Sequence, residues 1–390
     1  IKFLSFDKDS QELTILNKYD FIDLAGFYLD YQIEENGYEI FKGRVELPAL
    51  EPNDTLRIKL PFDLNLDQTK ESFINIQARF KQANLWAKSG YEMAQAQFAL
   101  NKRNNSLAPV AESNDKFNVI EDEKQITLEN KGFKISFDKA NGEIISWKYA
   151  DCDVITDRKG SPRYNNNRWI ENDKHGDSIS GELASTCEIK LNKEKTKAEI
   201  KITTKGEKCP YTIEYIVYSN NIVDMKVTMN PIVEGLRRLG LGMIFSKDFE
   251  EIDYYAKGPW ENYNDRQEAS FVGRYSTTVS DMLTPYAHPQ SCGNRQEMRE
   301  IFLYKKGSTK GLKIEANQPI AFSMLHFDDK DFNKEKLHPW ELNPREEVYA
   351  HFDYVQRGLG NGSCGPQTIE KYQVPSSGTY SFTLRFSPLR

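Results

Sequence analysis

The stretch Phe133-Lys-Ile-Ser-Phe-Asp-Lys-Ala-Asn-Gly-Glu-Ile-Ile-Ser-Trp-Lys-Tyr149 decides the fold class. Two arms of alternating apolar residues flank Asn141-Gly142, a pair suited to the positive φ angles of a tight hairpin. Side chains that repeat every second residue belong to strands with one buried and one wet face. The spacing therefore predicts an antiparallel hairpin over 133–149. The same period recurs in both directions. Upstream, Ile74, Ile76, Ala78 and Phe80 share one face while Asn75, Gln77 and Arg79 share the other, and Ile58, Leu60, Phe62 and Leu64 alternate likewise. Downstream, Ala198 to Met229 reads as two or three strands, broken at Gly206 to Pro210 and at Ser219-Asn220-Asn221, and Gly378 to Phe386 alternates once more. No segment carries a 3.6-residue apolar stripe over three turns, so the chain reads as all-β.

Between these runs the composition changes once. Asn101-Lys-Arg-Asn-Asn-Ser-Leu-Ala-Pro-Val-Ala-Glu-Ser-Asn-Asp115 is polar, aperiodic and contains Pro109, as a linker does. This predicts an immunoglobulin-like sandwich over 1–103, a linker over 104–115 and a larger antiparallel unit over 116–390.

Across 390 residues, 52 Lys+Arg against 58 Asp+Glu leave a formal charge of −6, and the mean hydropathy is −0.67. That balance argues against a nucleic-acid partner, which calls for a basic face. No run approaches the ~18 apolar residues of a membrane-spanning helix. The chain opens Ile1-Lys-Phe-Leu-Ser-Phe-Asp7 without an initiator Met, so the expectation is a piece of a longer polypeptide. The sequence does not distinguish a cytoplasmic from a periplasmic setting.

Candidate chemistry is sparse. Cys152, Cys187, Cys209, Cys292 and Cys364 are odd in number and never form a CxxC pair, and His175, His288, His326, His338 and His351 show no ligand spacing, so neither a disulfide framework nor a metal site is expected. Lys257-Gly-Pro-Trp-Glu-Asn-Tyr-Asn-Asp-Arg266 joins aromatics to carboxylates, amides and arginine in the manner of a sugar site. The plainer reading is a buried turn in which Glu261, Asp265 and Arg266 satisfy one another and nearby backbone. In Ser161 to Asp173, Glu171 and Asp173 share a face if extended, with α-carbons about 7 Å apart, within the range of glycosidase carboxylate pairs. Acid pairs at this spacing recur in the chain, at Glu121 and Glu123 for example, and favour a solvated face. The loop Gly358-Leu-Gly-Asn-Gly-Ser-Cys-Gly-Pro366 and Gly240-Leu-Gly242 lack the lysine or helix of a phosphate loop. The residues look like the support of a site whose chemistry lies elsewhere.

Taken in order, these motifs resemble the C-terminal small-chain domain of glycoside hydrolase family 2 β-galactosidases. The resemblance is carried by Gly258-Pro-Trp-Glu-Asn-Tyr263 with Asp265-Arg266, Pro285-Tyr286, Pro289-Gln290, Gly293-Asn-Arg295, His338-Pro-Trp-Glu-Leu342, Asp353-Tyr354, Gly358-Leu-Gly360 and Ser363-Cys-Gly-Pro366. The first 100 residues, with Trp86, Gly90-Tyr-Glu92 and Ala96-Gln-Phe98, resemble the β-sandwich that precedes that domain. The resemblance implies a retaining β-galactosidase of five domains, whose catalytic barrel supplies two glutamates and lies before Ile1. It also implies a galactose mutarotase-like supersandwich for the larger unit, and a cleft-rim loop at Gly362, Ser363 and Cys364. Cys364 stands where the enterobacterial enzyme has a sugar-stacking tryptophan, and Arg168-Trp-Ile-Glu-Asn-Asp173 only partly matches the family's Arg-Ala-Pro-x-Asp-Asn-Asp. By the same resemblance the chain holds no cofactor of its own, while the full enzyme takes a divalent or sodium ion. Its partners are a β-galactoside or related carbohydrate, the barrel in cis and further copies of the enzyme.

Two rival readings follow from the residues. One is a stand-alone carbohydrate-binding module using Trp260, Tyr263 and Trp340 as platforms. The other is a mutarotase-like epimerase, for which His338 with Glu341, or His288, would supply the acid and base.

Overall fold

The computed structural model describes residues 1–150, 152–170, 185–333, 335–360 and 365–389. The chain is all-β, with helical structure confined to three-residue 3₁₀ turns among the described residues. It divides into two compact units, Ile1–Asn104 and Asn105–Arg390.

The first unit is a seven-stranded immunoglobulin-like sandwich. Lys2–Asp7, Glu12–Leu16 and Thr55–Lys59 form one sheet, and Tyr38–Glu46, Phe27–Glu35, Ser72–Phe80 and Glu92–Asn101 form the other in that order. Period two sets the register: Leu29 faces Ala78, Tyr31 faces Ile76 and Ile33 faces Ile74, so one face of each strand enters the core together. Leu29, Ile33, Ile74 and Ile76 are fully buried with Leu13 and Ile15 of the opposite sheet. Each such side chain contributes roughly 1.5–3 kcal/mol by leaving water. The alternation read over 57–64 yields a shorter strand than its pattern suggests. The strand ends at Lys59, with one further bond from the Leu60 N–H to the Gln11 carbonyl at 2.9 Å, because Gln11 turns away with a φ of 58° and Pro61 has no N–H to donate. Leu60 is still buried, Phe62 and Leu64 still pack on the core, and the Tyr31 hydroxyl donates to the Pro61 carbonyl at 2.6 Å.

The second unit stacks two antiparallel sheets. The smaller runs Cys152–Ile155, Ile144–Tyr149, Phe133–Asp138, Gln125–Asn130 and Asn118–Glu121. The larger has 12 strands and is curled. Its long strand Gly311–Leu325 pairs with Tyr380–Leu389 through its first half and with Val348–Gln356 through its second. Trp147 meets Phe386 edge-on at 5.2 Å and Phe137 meets Tyr215 at 5.4 Å, which locks the two layers around one apolar core. Residues Lys197–Thr204, Tyr211–Tyr218 and Val223–Met229 supply three strands where alternation implied two or three.

The deciding hairpin forms between Phe133–Asp138 and Ile144–Tyr149, but its turn is wider than a two-residue loop. Only Gly142 takes a positive φ, 77°. The Asp138 N–H donates to Glu143 O, the Gly142 N–H donates to Asp138 O, and the side chains of Asp138 and Asn141 accept from Ala140 and Glu143. The short polar side chains thus build the turn that the dipeptide alone was expected to make. A Cβ at Gly142 would also sit 2.4 Å from Ile202, so glycine is required there twice over.

The polar stretch after Asn104 follows the second unit. Arg385 donates to the Ala108 carbonyl and Asn220 to that of Ala111 at 3.1 Å.

Candidate functional site

The motif residues, scattered over nearly 200 positions, converge on one buried polar seat in the second unit. It begins where the strand Phe249–Gly258 ends in the cis peptide Gly258–Pro259. Asn262 follows, fully buried and with its amide fully used. It donates to the carbonyls of Lys257 at 3.2 Å and Trp260 at 2.9 Å and accepts from the Gln296 N–H at 2.8 Å. Its backbone exchanges bonds with Asn294. The turn 257–266 is thereby bolted to the start of the strand Arg295–Lys305. Tyr263 is buried and its hydroxyl points at the Ser291 carbonyl, so it is no platform for a sugar. Glu261 accepts from the Gly293 N–H at 2.6 Å, from Arg266 and from the Tyr286 hydroxyl. Burial, reinforced by the Glu261 charge, pushes the Tyr286 phenol up to about 12, which keeps it a donor.

Asp265 does something different from the mutual pairing its sequence neighbours suggested. Its carboxylate accepts the N–H groups of Leu359 at 3.0 Å and Gly360 at 2.7 Å, some 95 residues away. Gly358 allows this approach, since a Cβ there would meet the Asp265 carboxyl at 2.6 Å. Arg168 closes the same segment from the other side. It is 2% exposed and donates to the carbonyls of Arg357 and Gly358 and to Gln356 Oε1. Thr368 donates to the Gly358 carbonyl at 3.1 Å, and the Gly358 N–H donates to Tyr372 O at 2.8 Å. The two stems that flank 361–364 are therefore held by charge-assisted and neutral bonds alike.

Behind the seat lies a charged layer. Arg238 approaches Asp329 at 3.5 Å and Asp353 at 3.4 Å, and all three are buried. His351 Nε2 is 3.1 Å from Asp329, and Asn165 donates to the same carboxylate at 2.9 Å. Burial opposes ionisation of Asp329, but His351 and Arg238 outweigh it and hold its carboxyl down at about 2. For Asp353 burial wins over Arg238 and the carboxyl is raised above its ordinary range. Gln356 donates to Asp353 at 3.2 Å and accepts from Arg168 at 3.2 Å, so the charged layer and the loop stems form one connected network.

Several sequence candidates fall elsewhere. Gly362, Ser363 and Cys364 of the expected rim loop lie outside the described residues, as do Glu171 and Asp173. His338 stacks on Trp340 at 4.3 Å, and Glu341 accepts the Leu337 N–H at 2.9 Å, so this pair serves its own turn. His288 packs edge-on against Trp169. Trp260 and Trp340 are 72% and 77% exposed. Cys187, Cys209 and Cys292 are free thiols. Among the described residues no group of three or more His, Cys, Asp or Glu is placed to hold a metal ion. The sequence reading did not single out Arg238, Asp329, His351 or Gln356. Their signal was faint but present: Ala350-His-Phe-Asp353 puts polar residues among apolar ones on a strand whose two faces are both buried.

An immunoglobulin-like sandwich is followed by a larger two-layered antiparallel unit that holds an arginine-centred polar seat. The chain belongs to the β-galactosidase small-chain family: the model "Beta galactosidase small chain" matches residues 129–386, and "Beta-galactosidase, domain 4" matches residues 13–101. A β-galactosidase from Priestia megaterium is 22% identical over 100% of this chain, and one from Lactococcus lactis subsp. lactis is 27% identical over 96%. The chain spans 38% and 39% of the length of these two relatives. Among solved structures, a putative aldose 1-epimerase from Escherichia coli K12 aligns with 70% of this chain and 99% of its own at 7% identity, with a TM-score of 0.37. A likeness that distant carries no functional weight.

Proposed function

We propose that this chain is the non-catalytic C-terminal portion of a retaining β-galactosidase, and that its larger unit completes the substrate cleft with Gly362, Ser363 and Cys364 at the rim. The observation that carries this reading is the convergence of two motif residues, Asp265 and Arg168, on the segment that precedes these residues. Asp265, Arg168 and Thr368 all spend their hydrogen bonds on 357–360. A seat built this rigidly is what a loop needs if it is to meet a ligand reproducibly. On this reading the glutamates that perform the displacement belong to the catalytic barrel of the full enzyme, which takes a divalent or sodium ion and forms homo-oligomers.

In the full-length enzyme, Asp265→Ala frees the Leu359 and Gly360 amides and should raise KM for a β-galactoside severalfold more than it lowers kcat. Loss of kcat alone, with KM unchanged, would speak against a role at the cleft rim. Calorimetric titration of the isolated chain with galactose and lactose separates the binding-module reading: tight binding, below millimolar, favours the module, and no measurable binding favours the cleft-completing role.

A further inference from the structure

Two of the five histidines, His326 and His338, lie on one excursion of the chain. It leaves the strand Gly311–Leu325 at His326 and rejoins the sheet at Val348. The outer part displays Trp340, stacked on His338, beside the exposed Leu337. Its base is closed by His326. The imidazole Nδ1 lies 3.0 Å from the Glu347 carbonyl oxygen, and Nε2 lies 2.8 Å from Glu250 Oε2 on the strand Phe249–Gly258. The backbone completes the closure, with the Arg345 N–H donating to the His326 carbonyl at 2.7 Å.

Both ring nitrogens therefore face acceptors. A backbone carbonyl has no proton to give. Burial raises the Glu250 carboxyl, but bonds from His326 and Ser280 outweigh it and hold the group below its ordinary range. A neutral imidazole carries one N–H and can serve only one of these partners, whereas the imidazolium serves both.

We propose that His326 is a proton-operated clasp: protonated, it ties both limbs of the 326–347 excursion to each other and to the strand Phe249–Gly258, and deprotonated it surrenders one bond, so that the excursion opens more often as pH rises. Other charges near this base are Asp328, which accepts the Lys330 N–H at 3.0 Å, Asp248, which lies 3.3 Å from Lys305, and Glu347, whose charge reaches Lys247. Arg345 is held in a two-bond pair by Asp331 at 2.7 and 2.8 Å, and Glu346 is paired with Lys247 at 2.8 Å. Deeper in, His351 contacts Asp329, which also faces Arg238. That inner contact anchors the 3₁₀ turn Asp329–Asp331 rather than the base. The inference stands apart from the glycosidase reading, because it concerns only groups of this chain.

The test is amide hydrogen exchange on the 390-residue chain at pH 5.5 and pH 8.5, corrected for intrinsic exchange rates, with the Arg345 N–H as reporter. Losing one hydrogen bond should increase its opening about fivefold at the higher pH. H326Q should remove that pH dependence and leave Arg345 opening near the high-pH level at both values, whereas E250Q, whose amide can accept from the imidazolium and donate to the neutral ring, should remove it with Arg345 opening near the low-pH level at both. H351Q should retain the slope. Equal protection of wild-type Arg345 at both pH values, or a slope that survives H326Q and disappears in H351Q, would overturn the proposal.

Discussion

The two units solve the problem of a stable β-fold by different means. In Ile1–Asn104 the interior is apolar, and the buried polar residues are Asn17, Glu71, Ser72 and Asn101, none of them an arginine. In Asn105–Arg390 the interior also takes in Arg168, Arg237, Arg238, Arg295, Arg299 and Arg357, with Asp353, Gln356 and Asn294. An apolar core rewards any side chain of the right size and pattern. A buried guanidinium rewards only the arrangement that supplies all its acceptors, because the unpaired alternative is costly. The first unit is thus specified by periodicity and the second by partners. That contrast matches the task proposed for the second unit, since a loop seat needs a fixed geometry.

The sharpest way to break the contrast is Arg168→Met. Removing this donor takes three bonds out of the interior, to the Arg357 carbonyl, to Gln356 Oε1 and to the Gly358 carbonyl, which keeps only its bond from Thr368, and should cost about 3–5 kcal/mol by denaturant titration. In the first unit, Arg79 is partly exposed and joins Asp30, Glu92 and the Gly90 carbonyl, yet Arg79→Met should cost about 1 kcal/mol or less. Equal losses from the two substitutions would erase the distinction.

A second comparison uses cavities. Ile76→Ala in the sandwich should cost about 2–5 kcal/mol, and loss of exchange protection should stay within residues 1–104. Spread of that loss through the charged network would show that the units do not stabilise themselves separately.

The third concerns acid. The folded-state Asp329 carboxyl sits at about 2, against an ordinary value of 3.8. A depressed carboxylate contributes stability that is complete above the unfolded value and fades as pH falls from about 4 towards 2, here on the order of 2 kcal/mol. Comparison of wild type and Asp329→Asn across that window should show the wild type losing more stability on acidification. Parallel curves would remove Asp329 from the account. The smallest effect belongs to Trp260→Ala, which exposes nothing new and should change stability by about 0.5 kcal/mol or less. A larger change would mean that the exposed indole is packed against something.

Legibility followed the same divide. Strands such as Ser72–Phe80 and Lys197–Thr204 were plain in sequence because alternation is a local property. The turn 257–266 was recognisable as polar and aromatic, yet the partner of Asp265 was not, since nothing local relates it to Leu359 and Gly360. The role of Arg168 was hidden for the same reason: its acceptors are backbone carbonyls almost 190 residues away, and carbonyls leave no mark in a sequence. Only the rival binding-module reading takes Tyr263 as a platform, because in sequence an aromatic beside Asn and Glu looks alike whether its ring is wet or, as here, buried. The hairpin at Gly142 shows the opposite case, where the residue type was right and only the width of the turn differed.

The central claim, that this chain supports a glycosidase without performing its chemistry, is tested most directly by offering the isolated 390 residues a chromogenic β-galactoside. The account predicts release of the aglycone at the uncatalysed rate, alongside a folded chain by circular dichroism. Sustained turnover by the folded chain, abolished by substitution of one of its own carboxylates, would contradict it.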